Sequence, residues 1–379
     1  MEASTVAALE LATKRAADTE MLGRLHPDVV TAFTNVGMFR RWVAAESGGE
    51  AASVTGVLET IEAASKADGA AGWCVMIANT TALTSHRLPA EWADTIYRDP
   101  ASCTGGYGMP AGTARLVDGG LEVTGRWAWG SGTDHCTWIG AGVRVVDDAG
   151  EATTTVDGAP APFVFFETAD VELLDTWHVA GLKGTASTDY AVDKVFVPEG
   201  RWANLLSDTP VVDSPLGRFP FFGALAAGVA ACLIGLAGRA IEELVAIGEK
   251  RSTGSRKTLA ERGTLQADLA TAVANVQQAR RYLYGVADEM WTHSETGAAP
   301  TDEQRVALRL AATTAARRSV EAVDLCYHAA GSSAVYASSP LQRVFRDAHV
   351  AITHGMVAPR TMEPLGRFLF GLPTNTSQF

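Results

Sequence analysis

Residues 338–354, SSPLQRVFRDAHVAITH, decide how the rest of the chain is read. Ser338, Ser339 and Pro340 read as a helix start, a hydroxyl cap followed by a proline in the first turn. Apolar residues then recur at helical spacing: Leu341, Val344, Phe345, Ala348, Ala351 and Ile352. On one continuous helix Asp347 and His354, two turns apart, share a face, and Arg343 pairs with Asp347 one turn away. A buried histidine below an Arg/Asp cluster is suited to handling a proton. A core histidine with a satisfied hydrogen bond fits the same spacing, and this helix alone does not separate the two readings.

Working backwards, three more helices precede it. Residues 222–247 are apolar on most faces and therefore central. The next helix carries one stripe: Leu265, Leu269, Val273, Val276, Ala279, Leu283, Val286 and Met290. Thr301 and Gln304 form a capping box that opens a helix running to about residue 329, and Gly331-Ser332-Ser333 breaks it. Four long helices with short connections make a bundle over residues 201–379. Before it, residues 99–200 turn rich in Gly, Thr and Val with period-two stretches. Turns fall at residues 118–120 and 148–150, and further strands at 162–174 and 189–198, a mainly antiparallel β unit. Residues 1–98 read as helices at about 5–25, 27–39 and 54–67, then a largely apolar one after Asp68-Gly69 that ends near His86. The expectation is an α+β chain in three parts packed as one unit: helical 1–98, β 99–200 and four-helix bundle 201–379.

Hydrophobic residues make up 47% and charged residues 20% of the chain, an ordinary globular balance. The net charge of −12 leaves no phosphate-neutralising surplus, which argues against a nucleic-acid partner. No run reaches the roughly 18 apolar residues of a membrane span, residues 221–236 being short and full of Ala and Gly. The amphipathic, acidic N-terminus lacks the basic start and apolar run of a signal peptide, so a cytoplasmic location is expected. The five cysteines are scattered with no CxxC spacing, which fits reduced thiols and no structural zinc.

The common motifs are absent: no GxGxxG after a strand, no GxxxxGK[ST], no GxSxG and no HExxH. The longer patterns carry more. DGAAGWCVMI (68–77), GGYGMPAGTARLVDGGLEVTGRWAWGSGTDHCTW (105–138), DTWHVAGLKGTASTDYAVDKVFVPE (175–199) and AAGSSAVYASSPLQRVFRDAHVAITH (329–354) follow one another in order. With this arrangement the chain resembles the acyl-CoA dehydrogenase superfamily, and within it the flavin-dependent monooxygenases that serve as oxygenase components of two-component systems.

That resemblance implies an acyl-CoA dehydrogenase-like fold with a flavin between the β unit and the bundle. It implies reduced FMN or FAD supplied by a separate flavin reductase, O2 activated at the flavin C4a as a hydroperoxide, hydroxylation of a small aromatic or amine substrate, and a homotetramer. Ser131 then corresponds to the hydroxyl near flavin N5. Trp129 packs on the ring, and Gly132 leaves room for it. Met109, Pro110 and Gly112 fall on the pyrimidine side, Thr185, Ser187 and Thr188 in a second flavin-proximal segment, and Arg256 where relatives bind flavin phosphate. The substrate pocket falls to Trp73, His86, Phe219, Phe221 and Phe222. His354 stands where the monooxygenases place an active-site histidine, to deprotonate or hydrogen-bond a phenol-like substrate. Acyl-CoA dehydrogenases carry a catalytic glutamate shortly after RDA, whereas here no carboxylate occurs between Asp347 and Glu363. A dehydrogenase with tightly held FAD, or a scaffold that keeps the fold without the cofactor, are the competing readings.

Overall fold

The structure, a computed structural model, describes residues 2–147, 149–207, 209–251 and 257–379. Among the described residues it contains eleven α-helices and one seven-stranded sheet. Five helices come first: α1 (Ala3–Leu22), α2 (Pro27–Asn35), α3 (Val54–Ala67), α4 (Gly69–Ala82) and α5 (Ala90–Tyr97). Asp68 ends α3 and starts α4. Its extended backbone breaks the helix, and its carboxylate accepts the Ala71 N–H at 3.0 Å. A single N-cap residue therefore sets the turn between two buried helices.

The sheet follows: β1 (Thr104–Val117), β2 (Gly120–Gly130), β3 (Trp138–Val146), β4 (Phe163–Glu167), β5 (Glu172–Leu174), β6 (Thr188–Pro198) and β7 (Trp202–Ala203). The strand order is β5-β6-β2-β1-β3-β4-β7, with β1 and β3 parallel and every other pair antiparallel. The alternation inside β2 and β6 puts Leu121, Val123, Trp127, Tyr190, Val192 and Val197 into one buried face. Residues beyond Gly150, expected to repeat the hairpin, make only an isolated bridge, Val146 to Ala152. Their polar, threonine-rich composition offers no apolar face to bury.

Six helices close the chain: α6 (Pro215–Arg218), α7 (Phe221–Gly248), α8 (Gly263–Glu295), α9 (Asp302–Ala330), α10 (Pro340–Ala351) and α11 (Met362–Leu369). The capping box at Thr301 and Gln304 forms as expected. α7 is apolar over a longer run than expected, enough by length and composition to cross a membrane. Within this fold 83% of its apolar window is buried, packed by α3, α4, α8, α9 and α10. Small residues permit that packing: a Cβ on Gly235 would stand 2.3 Å from the Glu62 carbonyl of α3, so only glycine fits.

α10 departs from its sequence reading in two ways. The Ser339 hydroxyl makes no cap bond, although proline does occupy the first turn. The helix also ends at Ala351, and His354 lies in the turn that follows. Asp347 and His354 therefore do not share a helical face. Gly355 and Pro359 are the breakers that end the periodic pattern.

Candidate active site

Four segments converge: α4, the end of β2 with its turn, residues 182–187, and α10 with its following turn. β2 supplies the first irregularity. Period-two spacing would bury Trp127 and Trp129 on the same face. Trp127 is fully buried, stacked on Tyr190 at 5.3 Å, with its Nε1–H donated to the Gly142 carbonyl at 2.8 Å. Trp129 instead adopts φ 61° at a register shift between β2 and β6, and this turns its indole outward to 60% exposure. Tyr107 supports it edge-on at 5.7 Å.

Just beyond, Ser131 starts a buried chain of hydroxyls. Its Oγ accepts the Trp73 Nε1–H at 3.0 Å and lies 2.6 Å from Ser187 Oγ. Ser187 Oγ in turn lies 2.6 Å from Thr185 Oγ1, which donates to the Leu182 carbonyl at 2.8 Å. That carbonyl also accepts the Trp177 Nε1–H and the Thr185 N–H, each at 3.1 Å. The Gly132 N–H closes the turn onto the Thr185 carbonyl at 2.9 Å. Leu182 and Ala186 are left-handed, with φ 53° and 44°. With Trp129, they make three of the five non-glycine residues at positive φ among the described residues, and all three border this chain. Strain of this kind costs of order 1–3 kcal/mol per residue and persists only where surrounding bonds hold it.

Asp347 supplies one such bond. Its Oδ1 accepts the Leu182 N–H at 2.6 Å, across from α10 to the strained loop. Burial pushes its carboxyl up to about 7, partly offset by that N–H and by the fields of Arg343 and Arg346. Asp68 stands close enough to repel it, and burial raises Asp68 itself to about 6. The expected Arg343–Asp347 pairing is thus replaced by a backbone anchor, with Arg343 contributing its field. Sequence spacing missed this role, because the partner lies 165 residues away.

His354 meets Trp73 from the other side, edge-on with ring centroids 5.6 Å apart. Its Nδ1 accepts the Met356 N–H at 3.3 Å, so the neutral ring carries its hydrogen on Nε2. Burial, with the nearby positive Arg309, pushes the imidazole down to about 4. At neutral pH the group is an uncharged hydrogen-bond donor. One indole therefore joins the two candidates the sequence singled out, donating to Ser131 through Nε1 and packing its ring on His354.

Other expected residues fall elsewhere. His86 is fully buried with both nitrogens engaged, Nε2 with the Trp42 carbonyl at 3.1 Å and Nδ1 with Ser214 Oγ at 2.9 Å. It ties Ser214, ahead of α6, to the loop after α2 from its own place in the turn that follows α4, rather than offering a face to substrate. Gly112 is a packing residue: its Cβ would stand 2.2 Å from the Trp127 ring. The hydroxyls of Thr185 and Ser187 bond to one another within the buried chain, to the Leu182 carbonyl at one end and Ser131 at the other. Met109 and the half-buried Pro110 lie where β1 shifts register against β3, which leaves Met109 51% exposed. Phe219 and Phe221 are buried in the core and Phe222 is half-buried beside Phe221. Arg256 lies outside the described residues. An open cleft of about 940 Å³ runs along the same loop, lined by Arg24, Asp134, Trp177, Lys183, Thr188 and Arg343 among others, while Ser131, Trp73 and His354 lie off it. The five cysteines are free, and no group of metal-ligating side chains occurs among the described residues.

Comparisons with known proteins agree with this architecture. Residues 227–359 match the family described as acyl-CoA dehydrogenase, C-terminal domain. The chain is 30% identical to an indole-3-acetate monooxygenase of Pseudomonas putida over 348 residues, covering 91% of this chain and 87% of that protein. It is 29% identical to the flavin-dependent monooxygenase, oxygenase subunit HsaA, of Rhodococcus jostii, with 95% of each chain covered. The crystal structure of a 3-HSA hydroxylase from Rhodococcus superposes with a TM-score of 0.91 at 26% identity, covering 99% of this chain and 98% of that one. The chain belongs to the flavin-dependent monooxygenases of the acyl-CoA dehydrogenase superfamily.

Proposed function

We infer that the chain takes reduced flavin from a separate reductase and, with O2, hydroxylates a small aromatic substrate in a site bordered by Ser131, Trp73 and His354. The observation that carries this reading is the Trp73 bridge, which holds an accepting hydroxyl and a neutral imidazole on either side of one buried indole. The residues fit a flavin. Trp129 offers an exposed indole face to a planar ring, and Gly130–Gly132 bring no bulky side chain to it. With its hydrogen given to Ser187 and one lone pair accepting from Trp73, Ser131 keeps one oxygen lone pair. Reduced flavin, FMN or FAD, supplies the electrons and the ring carbon that activates O2.

The protein's part is positioning and exclusion of water. Ser131 Oγ accepts a hydrogen bond from the flavin edge. Trp73 fills the space behind it and keeps the floor dry. The His354 Nε2–H donates to an oxygen on the substrate ring, such as a phenol or phenolate, and orients the adjacent carbon. A neutral ring with Nδ1 occupied is a donor and not a base, which narrows the sequence reading to hydrogen bonding. The dehydrogenase alternative lacks its base: Asp347 is buried and spent on Leu182, and no carboxylate follows before Glu363.

The test is direct. The protein, a flavin reductase, NADH and 18O2 are combined with simple phenols and indoles, with FMN and FAD compared in parallel. Incorporation of one labelled oxygen into product supports the reading, and whichever flavin sustains it is the working cofactor. Flavin that reoxidises at its free rate with every substrate and forms no product overturns it. A homotetramer is part of the proposal; the exposed Tyr336, Leu369 and Phe370 are suited to a subunit interface, and sedimentation equilibrium checks it.

A further inference from the structure

Resting on the reading just given, we propose that Thr185 and Ser187 are positioning residues that fix the direction of the Ser131 hydroxyl, so that the site accepts the N–H of reduced flavin and rejects oxidised flavin. Both ends of the hydroxyl chain are chemically fixed. An indole N–H only donates, so Ser131 accepts from Trp73. A carbonyl only accepts, so at 2.8 Å the Thr185 hydrogen points to Leu182. Without a hydrogen between them, two buried oxygens would face each other at that distance.

The middle follows by counting hydrogens. Thr185, having given its hydrogen to Leu182, accepts from Ser187 at 2.6 Å. Ser187, having given its own to Thr185, accepts from Ser131 at 2.6 Å. Each hydroxyl has one hydrogen, so the order runs Trp73 to Ser131 to Ser187 to Thr185 to Leu182. All the hydroxyl bearers are buried, and water does not compete for these bonds. Ser131 is left with a lone pair and no hydrogen to offer.

That polarity distinguishes the two oxidation states. Reduced flavin carries a hydrogen on N5 and donates it to the lone pair. Oxidised flavin presents a bare nitrogen, and two lone pairs then oppose each other. The anchor of the chain is the Leu182 peptide, held in its left-handed conformation by Asp347. Asp347 on α10 thus bonds the N–H of the same residue whose carbonyl ends the hydroxyl chain.

Substitution reverses the order without touching Ser131. In Thr185→Val the Ser187 hydrogen has one polar neighbour left, Ser131, so the Ser131 hydrogen must turn outward. Ser187→Ala removes the acceptor directly, with the same result. Thr185→Ser keeps every bond. Affinities for oxidised and for reduced FMN and FAD are measured anaerobically by titration, together with the bound flavin's potential. The wild type binds reduced flavin more tightly. Thr185→Val and Ser187→Ala lower the reduced-to-oxidised affinity ratio about tenfold, the scale of one exchanged hydrogen bond. The two-electron potential of bound flavin then falls by about 30 mV. Thr185→Ser retains the wild-type ratio. Two results overturn the relay: an unchanged ratio in both disrupting variants although Ser131→Ala abolishes the preference, or a wild type that prefers oxidised flavin. Unchanged binding of both states in Ser131→Ala would instead overturn the placement of the flavin, and so the preceding proposal.

Discussion

Replacing Asp347 by asparagine separates two accounts of the RDA segment. If Asp347 pairs with Arg343 on the surface of a helix, its folded pKa lies below the ordinary carboxylate value. If it is a buried anchor for Leu182, its folded pKa lies above. The structure gives about 7 against an ordinary 3.8, with burial as the main cause. A raised value means that the folded state holds the proton more tightly between about pH 4 and pH 7. Stability therefore falls as pH rises through that window and levels off above it. The full cost of ionising the buried group is about 4 kcal/mol, of which about 2 to 3 kcal/mol accrues between pH 5 and pH 8.

Asp347→Asn keeps an oxygen for the Leu182 N–H and removes the ionisation. It also removes a repulsive neighbour of Asp68, which acts in the same direction. Urea denaturation of both proteins at several pH values gives the difference directly, and titrations common to both, including those of His86 and His354, cancel. The variant gains stability relative to wild type by about 2 to 3 kcal/mol from pH 5 to pH 8. A difference that is flat with pH, or that moves the opposite way, refutes the buried-anchor account and restores the ion pair.

Three further outcomes follow from the same geometry. His354→Gln retains flavin binding but loses most hydroxylation. The wild-type rate profile shows no ionisation near pH 6.5 from this residue, because burial lowers its imidazole to about 4 and keeps it neutral above pH 5. Trp73→Phe preserves the ring against His354 but removes the N–H to Ser131. It costs roughly 1 kcal/mol in denaturation and lowers product formed per reduced flavin consumed, read by oxygen uptake against product yield. Gly112→Ala forces a methyl group to within 2.2 Å of the Trp127 ring and destabilises by roughly 1–3 kcal/mol in thermal unfolding, with little effect on the affinity of correctly folded protein for flavin.

Local pattern carried most of the fold. The helices of the bundle are visible because apolar stripes, the Thr301 capping box and the Asp68-Gly69 break act over a few residues. The turn at Gly119, with φ 72°, is equally local. The site is a different matter. Trp129 breaks its own strand period through one left-handed residue, and nothing in the spacing of WAWGSG announces that reversal. Asp347 reads as a helix-surface partner of Arg343 until the fold brings Leu182 to it. His86, at the end of a largely apolar helix, reads as a substrate-pocket residue, yet tertiary packing engages both of its nitrogens. His354 stands out by its place in the terminal helical pattern and Ser131 by the longer resemblance, and the indole that connects them is visible only in three dimensions.

The relation between Asp347 and His354 also bears on which chemistry this fold supports. A proton-abstracting enzyme needs a base at the cleft, with an accessible lone pair and a pKa near the working pH. Asp347 has a suitable pKa, but it is buried and its oxygen is committed to the loop. His354 packs beside Trp73, but its accepting nitrogen is occupied and its remaining nitrogen only donates. Each group thus lacks what the other has, and neither can take a proton from substrate in the described conformation. What remains is an arrangement of fixed donors and acceptors around an exposed indole face. Such an arrangement suits a reaction in which bound flavin and oxygen carry the electrons while the protein holds the reactants in register and keeps water away. Restoring a glutamate in the turn after α10, as Ile352→Glu, therefore does not by itself yield a dehydrogenase: Asp347 would still hold the Leu182 loop, and the Ser131 hydroxyl would still be set by Thr185.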